Sequence, residues 1–193
     1  MFTTSPIKHV AAVAGRRIDA ELAEVPRFPF EQVPKVEREL RRLFEEICIS
    51  VLITSAACGA DLLALKVAGE LGIPVRVILP FGVSRFKATS VLDRPHPDYW
   101  GNLFDQAIAA ARANGKLIEL AGDPESHDAY SAANEAIIKN AISLASSQPY
   151  GAAKGPVAVI IWEGTARPGT DVTEEFRQST EAAGFDIRII LTI

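Results

Sequence analysis

Short apolar runs rich in β-branched residues alternate with stretches of helical period along this chain, and that alternation leaves few folds open. The runs are "HVAAVAG" (9–15), "ISVLITS" (49–55), "IPVRVILPF" (73–81), "KLIELAG" (116–122), "PVAVIIW" (156–162) and "FDIRIILTI" (185–193). They are almost continuously apolar rather than alternating, as strands of a parallel sheet covered on both faces must be. Between them lie segments with helical spacing, such as "KVERELRRLFEEI" with Val36, Leu40, Leu43 and Ile47 on one side. Further helices are expected over 60–72, 99–115, 123–146 and 172–184. Gly72 and Gly115 stand where helices stop. The segment 16–34, interrupted by Pro26, Pro29 and Pro34, reads as irregular, and so does 82–99. Six strands joined by five helical crossovers predict an α/β protein. The expected form is a doubly wound, mostly parallel six-stranded sheet, Rossmann-like, in three layers. The 193 residues suit one such domain, 1–193.

Composition narrows the partners. The net charge of -4 and the absence of a dense basic run argue against nucleic acid. No apolar run reaches the roughly 18 residues of a membrane span, and the N-terminal "MFTTSPIKHVAAVAG" reads as a first strand rather than a leader. Cys48 and Cys58 offer neither a disulfide framework nor metal spacing. A reducing, cytoplasmic home is therefore expected. His9, His96 and His127 share no ligand spacing, so neither a metal site nor a cofactor is expected.

Open α/β sheets bind ligands beyond the carboxyl ends of their strands, near the point where strand order reverses. The loops after the strands are the places to search. After the first, Gly15 is followed by Arg16, Arg17 and Asp19, and adjacent guanidinium forks suit a phosphate. A solvated pair bonded to Asp19 or Glu21 accounts for them equally. After the second strand, "TSAACGAD" brings Ser55, small residues, Gly59 and Asp61 to a helix start, where free N–H groups favour an anion. A tight turn with Asp61 in the first helical turn explains the same residues. Around the third strand end, Phe81, Arg85 and Ser90 lie on a segment that reads as a mobile loop. In "WEGTARPGTDVTEE", Gly164, Gly169 and Thr170 precede a helix, with Thr170 as its cap or as a phosphate donor. Glu174 and Glu175 follow one turn on, as ribose contacts or catalytic carboxylates, with Asp61 a lesser catalytic candidate. Cys58 reads as a small buried residue.

"AGRRIDAELAEVPRFP", "SAACGADLLALKVAGELGIPVRVILPF" and "RFKATSV" together resemble the SLOG superfamily, the Rossmann-like group that includes the LOG phosphoribohydrolases and the DprA proteins. The resemblance runs from about residue 8 to 190. It implies a nucleotide or nucleotide-derived ligand held by the loops after the first, second and a later strand. Gly15 and Arg16 match the first loop, Gly59 and Asp61 the second, and Gly169, Thr170 and Glu174 the later Gly-Thr loop. It also implies pairing or higher homo-oligomers. The LOG enzymes carry Pro-Gly-Gly-x-Gly-Thr-x-x-Glu, whereas this chain reads "RPGTDVTEE", and Glu174 falls one place later. On a helix that is a rotation of about 100°. Two functions follow: a nucleotide sensor or binding protein, or a nucleoside 5'-monophosphate phosphoribohydrolase-like N-glycosidase. The first predicts that amides near Gly59 and Gly169 converge with Arg16 on one anion.

Overall fold

The computed structural model describes residues 9–147 and 155–193. Its strands are β1 (His9–Gly15), β2 (Ile49–Thr54), β3 (Val75–Leu79), β4 (Leu117–Glu119), β5 (Val157–Trp162) and β6 (Asp186–Leu191). They form one sheet in the order β4-β3-β2-β1-β5-β6, and every neighbouring pair is parallel. The doubly wound, Rossmann-like α/β reading is what the structure has. Most of the expected loop 147–155 lies outside the described residues.

Burial along each strand follows its place in the sheet. β5 is buried throughout and β1 through all but its end residues, whereas the edge strand β6 exposes Ile189 and Leu191. Helices α1 (Val33–Glu46), α2 (Ala60–Glu70) and α4 (Pro97–Ala113) pack on one face. Helices α5 (His127–Ser146) and α6 (Val172–Ala182) cover the other. These are the three layers. α2 is the central helix of its face, between α1 and α4. It therefore buries residues all round, including Leu62, Leu63 and Val67, and has no polar stripe.

Two expectations need correction. The segment after β3 is not a mobile loop, because Val83–Ser90 forms helix α3. Phe86 anchors it, stacking on Phe104 with ring centroids 6.1 Å apart, and Ser90 is buried with it. Pro34, read as an interruption, lies in the first turn of α1, where a missing N–H costs nothing.

Strand order also locates the reversal. From β1 the chain runs outward through β2, β3 and β4, then crosses back through α5 to place β5 on the other side of β1. The crevice between the β1 and β5 carboxyl ends is the topological switch point. No helix among the described residues is long and apolar enough to cross a membrane.

Candidate functional site

Gly15 ends β1 opposite Ile161 of β5. A Cβ here would lie 2.3 Å from the Ile161 carbonyl oxygen and 2.6 Å from the Ala60 Cβ, so only glycine lets β1, β5 and the start of α2 meet. From this point the β1 loop is tied to both neighbouring loops. On the β2 side, Arg17 and Gly59 form an antiparallel bridge. The Ala60 N–H donates to the Arg16 carbonyl at 3.1 Å, and the Ile18 N–H to the Cys58 carbonyl at 3.4 Å. Gly59 adopts φ +101° to allow this approach, and a Cβ would come within 2.7 Å of the Arg16 oxygen.

On the β5 side the tie is ionic. Arg16 is only 2% exposed. Its Nε donates to Glu163 at 2.6 Å, and its two terminal nitrogens donate to Asp171 at 2.5 and 2.9 Å. The Thr165 carbonyl takes a further bond at 2.9 Å. Arg27 binds the second oxygen of Glu163. Burial alone would raise the carboxyl pKa of Asp171. Hydrogen bonds from Arg16, from the Arg167 N–H and from the first turn of α6 more than offset it and hold it at about 2. Glu163, where burial opposes the same arginine contacts, is likewise held below its ordinary value.

These ties change the expected anion cradle. At the start of α2, Cys58 N–H donates to the Ser90 carbonyl and Ala60 N–H to the Arg16 carbonyl. Ala57 N–H donates to Asp61 Oδ2 at 3.2 Å. Arg16 is spent on carboxylates rather than left as a free clamp. Helix α6 is capped by Asp171, which accepts from Thr173 and Glu174 N–H, and not by Thr170. Cys58 is fully buried, and burial raises its thiol pKa.

What remains open at the switch point is a cleft of about 550 Å³. Arg16, Arg17, Arg27, Arg94 and Arg167 line it, one more than the carboxylates Asp19, Asp93, Glu163 and Asp171 that stand with them. Asp19 accepts the Arg27 and Phe28 N–H groups at 2.9 and 3.0 Å, which folds the 19–28 segment into the rim. Arg17 pairs with Asp93, while its buried Nε has no partner. Arg167 makes no side-chain bond to any described residue. Although it is exposed, the surrounding protein and the charge of Arg16 lower its pKa. Among the described residues no group of His, Cys, Asp and Glu is placed to hold a metal.

Behind this cleft, sharing Gly15, Arg17 and Tyr130 with it, lies an annex of about 90 Å³. Ser55, Asp61, Ser90 and Asn134 line the annex. Asp61 is 8% exposed. Burial drives its pKa up to about 7 against the lowering effects of the Ala57 N–H, Thr54 and Arg17. Thr54 stands near enough to act on that carboxyl, yet its buried hydroxyl has no partner in hydrogen-bonding geometry.

Gly15, Arg16, Arg17, Asp19 and Thr170 therefore meet at the cleft, and Ser55, Asp61 and Ser90 at the annex. Gly59 lies beneath, bonded to the β1 loop. Others stand apart. Phe81 is a core residue against Phe86 and Tyr130. Arg85 pairs with Glu125 on the surface. Gly164 and Gly169 turn the β5 loop at φ +92° and +78°. Glu174 is bound along α6 by Arg177 and Gln178. Glu175 reaches His127 and Ser131 on α5. Neither glutamate lines the cleft or the annex. Arg94, Arg167 and Asp171 complete the rim; of these, Asp171 just ahead of a helix with acidic residues in its first turn carries a readable capping signal.

No protein-family model and no curated protein matches the chain. Among solved structures it is similar to DNA processing protein A (DprA) from Streptococcus pneumoniae, with a TM-score of 0.42 and 15% identity. That match covers 94% of this chain and 58% of the DprA chain, so the chain spans less than two thirds of DprA's length. It is also similar to the UDP-GlcNAc 2-epimerase from Methanocaldococcus jannaschii, with a TM-score of 0.37 and 11% identity over 96% of this chain and 73% of that one.

Proposed function

We propose that the chain binds a nucleotide or nucleotide-derived molecule through its phosphate, in the cleft at the β1 and β5 ends, as a sensor or binding protein. The observation that carries this reading is Arg167, a guanidinium without a side-chain partner among the described residues, on the rim of a 550 Å³ cleft at the switch point. Arg17 and Arg94 in the same wall add positive charge to it. An incoming phosphate meets forked donors there, and charge-assisted bonds of this kind are about twice as strong as neutral ones. Titration calorimetry with AMP, ATP, a UDP-sugar and inorganic pyrophosphate tests the reading. Binding by at least one probe, weakened about tenfold or more in Arg167→Ala with an unchanged melting temperature, is expected. No heat from any probe overturns it.

A hydrolytic version, cleavage of the N-glycosidic bond of a nucleoside 5'-monophosphate, is supported by Asp61, a carboxyl in the annex poised near neutrality as a general acid–base group requires. Glu174 and Glu175 face away from that space. Release of free base from AMP, followed by chromatography and lost in Asp61→Asn, is the expected result; no release on long incubation removes this version.

A further inference from the structure

The annex has a chemistry distinct from the cleft in front of it. The cleft rim is built of guanidinium groups. The annex, apart from Arg17, sets a few groups that exchange neutral hydrogen bonds among apolar neighbours such as Pro80, Phe86 and Ala133. Asp61 Oδ2 takes the Ala57 N–H, but Oδ1 accepts no bond from the described protein, in a residue more than nine-tenths buried. Ser55 Oγ makes no hydrogen bond among the described residues. Asn134 donates its amide to the Val172 carbonyl at 2.9 Å, which leaves its side-chain oxygen unused. The Ser90 and Tyr130 hydroxyls form one hydrogen bond at 3.3 Å, in which either can donate, so each keeps capacity for another. Asp61 and Ser90 are buried while Ser55, Tyr130 and Asn134 are half-buried, and spare capacity of this kind suits water or a ligand that both donates and accepts.

Size and position restrict that ligand. At about 90 Å³ the annex is a small side chamber of a cleft of about 550 Å³, so it suits a small polar part of a ligand rather than its bulk. Its shared wall with the cleft, at Gly15, Arg17 and Tyr130, places this part directly behind a phosphate on the rim. Resting on the phosphate reading above, we infer that the annex is a subsite for the vicinal hydroxyls of a pentose phosphate, held by Asp61, Ser55 and Asn134 while the phosphate stays on the arginine rim. Any molecule with a cis-diol beside a phosphate ester carries this chemistry, whether a sugar phosphate or the ribose of a nucleotide. A buried carboxyl whose pKa is pushed up to about 7 suits the role, because its protonated form offers a donor as well as an acceptor.

Calorimetry with ribose 5-phosphate, 2-deoxyribose 5-phosphate and inorganic pyrophosphate tests the inference. The wild type is expected to bind ribose 5-phosphate at least tenfold more tightly than the deoxy sugar. Ser55→Ala and Asp61→Ala are expected to bring the two sugars within about threefold of each other, with pyrophosphate affinity unchanged. Asp61→Asn, which retains a donor and an acceptor, keeps most of the preference. Equal binding of the two sugars by the wild type, or a preference that survives in both alanine variants, overturns the diol subsite while leaving phosphate binding intact. Absence of binding by all probes, pyrophosphate included, overturns the phosphate reading and this inference with it. Ser55→Ala removes one hydroxyl, so it keeps the test open should Asp61→Ala fail to fold.

Discussion

Replacing Asp61 by asparagine separates the burial of a carboxyl from the burial of a shape. Asparagine matches the neutral acid in size, and its oxygen can still accept the Ala57 N–H. Only the ability to ionise is lost. The folded protein raises this pKa from 3.8 to about 7. A raised acid contributes stability that is fully present below the unfolded pKa and lost as pH rises through the folded one. The window is therefore about pH 4 to 7. At about 1.4 kcal/mol per pK unit, the full penalty above that window is on the order of 4 kcal/mol. Between pH 5 and pH 8 the part still to be lost is about 2–3 kcal/mol. Groups that titrate in both proteins cancel in the comparison. Urea denaturation of wild type and Asp61→Asn at pH 5, 6, 7 and 8 is expected to show the variant gaining relative stability from pH 5 to about 7 and levelling off by pH 8. A difference that stays flat from pH 5 to 8, or that moves against the variant, refutes the neutral buried carboxyl.

The ionic tie at Arg16 behaves in the opposite sense. Arg16→Ala strands Asp171 and Glu163 in a buried site and is expected to cost about 3–5 kcal/mol, measured by urea melts at pH 7; a loss under 1 kcal/mol refutes the role given to the network. The folded pKa values of Asp171 and Glu163 are depressed, so their contribution is present above the unfolded values and lost as pH falls through the folded ones. Wild-type stability is therefore expected to decline from about pH 4 towards pH 2, with this decline flattened in Arg16→Ala. Gly15→Ala forces a methyl against a backbone oxygen that cannot swing aside, and is expected to cost about 3 kcal/mol or more by thermal melting; near-wild-type stability refutes the close packing there.

The strands were readable because a parallel sheet covered on both faces writes itself as apolar runs, most clearly in β5, where each residue from Val157 to Trp162 is buried. Helix α3 was not readable. It is eight residues long and buries only Phe86 and Ser90, too little to make an apolar stripe. At the site, sequence located the loops but not their bonding. Arg16 is visible as a cation at a strand end, but nothing local announces that Glu163 and Asp171, 147 and 155 residues further on, close around it. Thr170 and Asp171 are both capping residue types, and the guanidinium that engages Asp171 fixes which one serves. Arg94 joins the rim through its bond to the Ile18 carbonyl, a contact that no pattern in the chain encodes. Arg167 carries no signal of its own in the sequence, because an arginine in a glycine-bearing loop is ordinarily solvated.

The guanidinium of Arg16 also sets how a molecule gains admission. It rivets the strand β1 loop to the strand β5 loop through Glu163 and Asp171, and Arg27 doubles the fastening. The jaws of the crevice consequently do not spread. The exposed stretch from Ala20 to Pro26, which lacks helix and strand alike, is the part of the crevice margin that this fastening does not include.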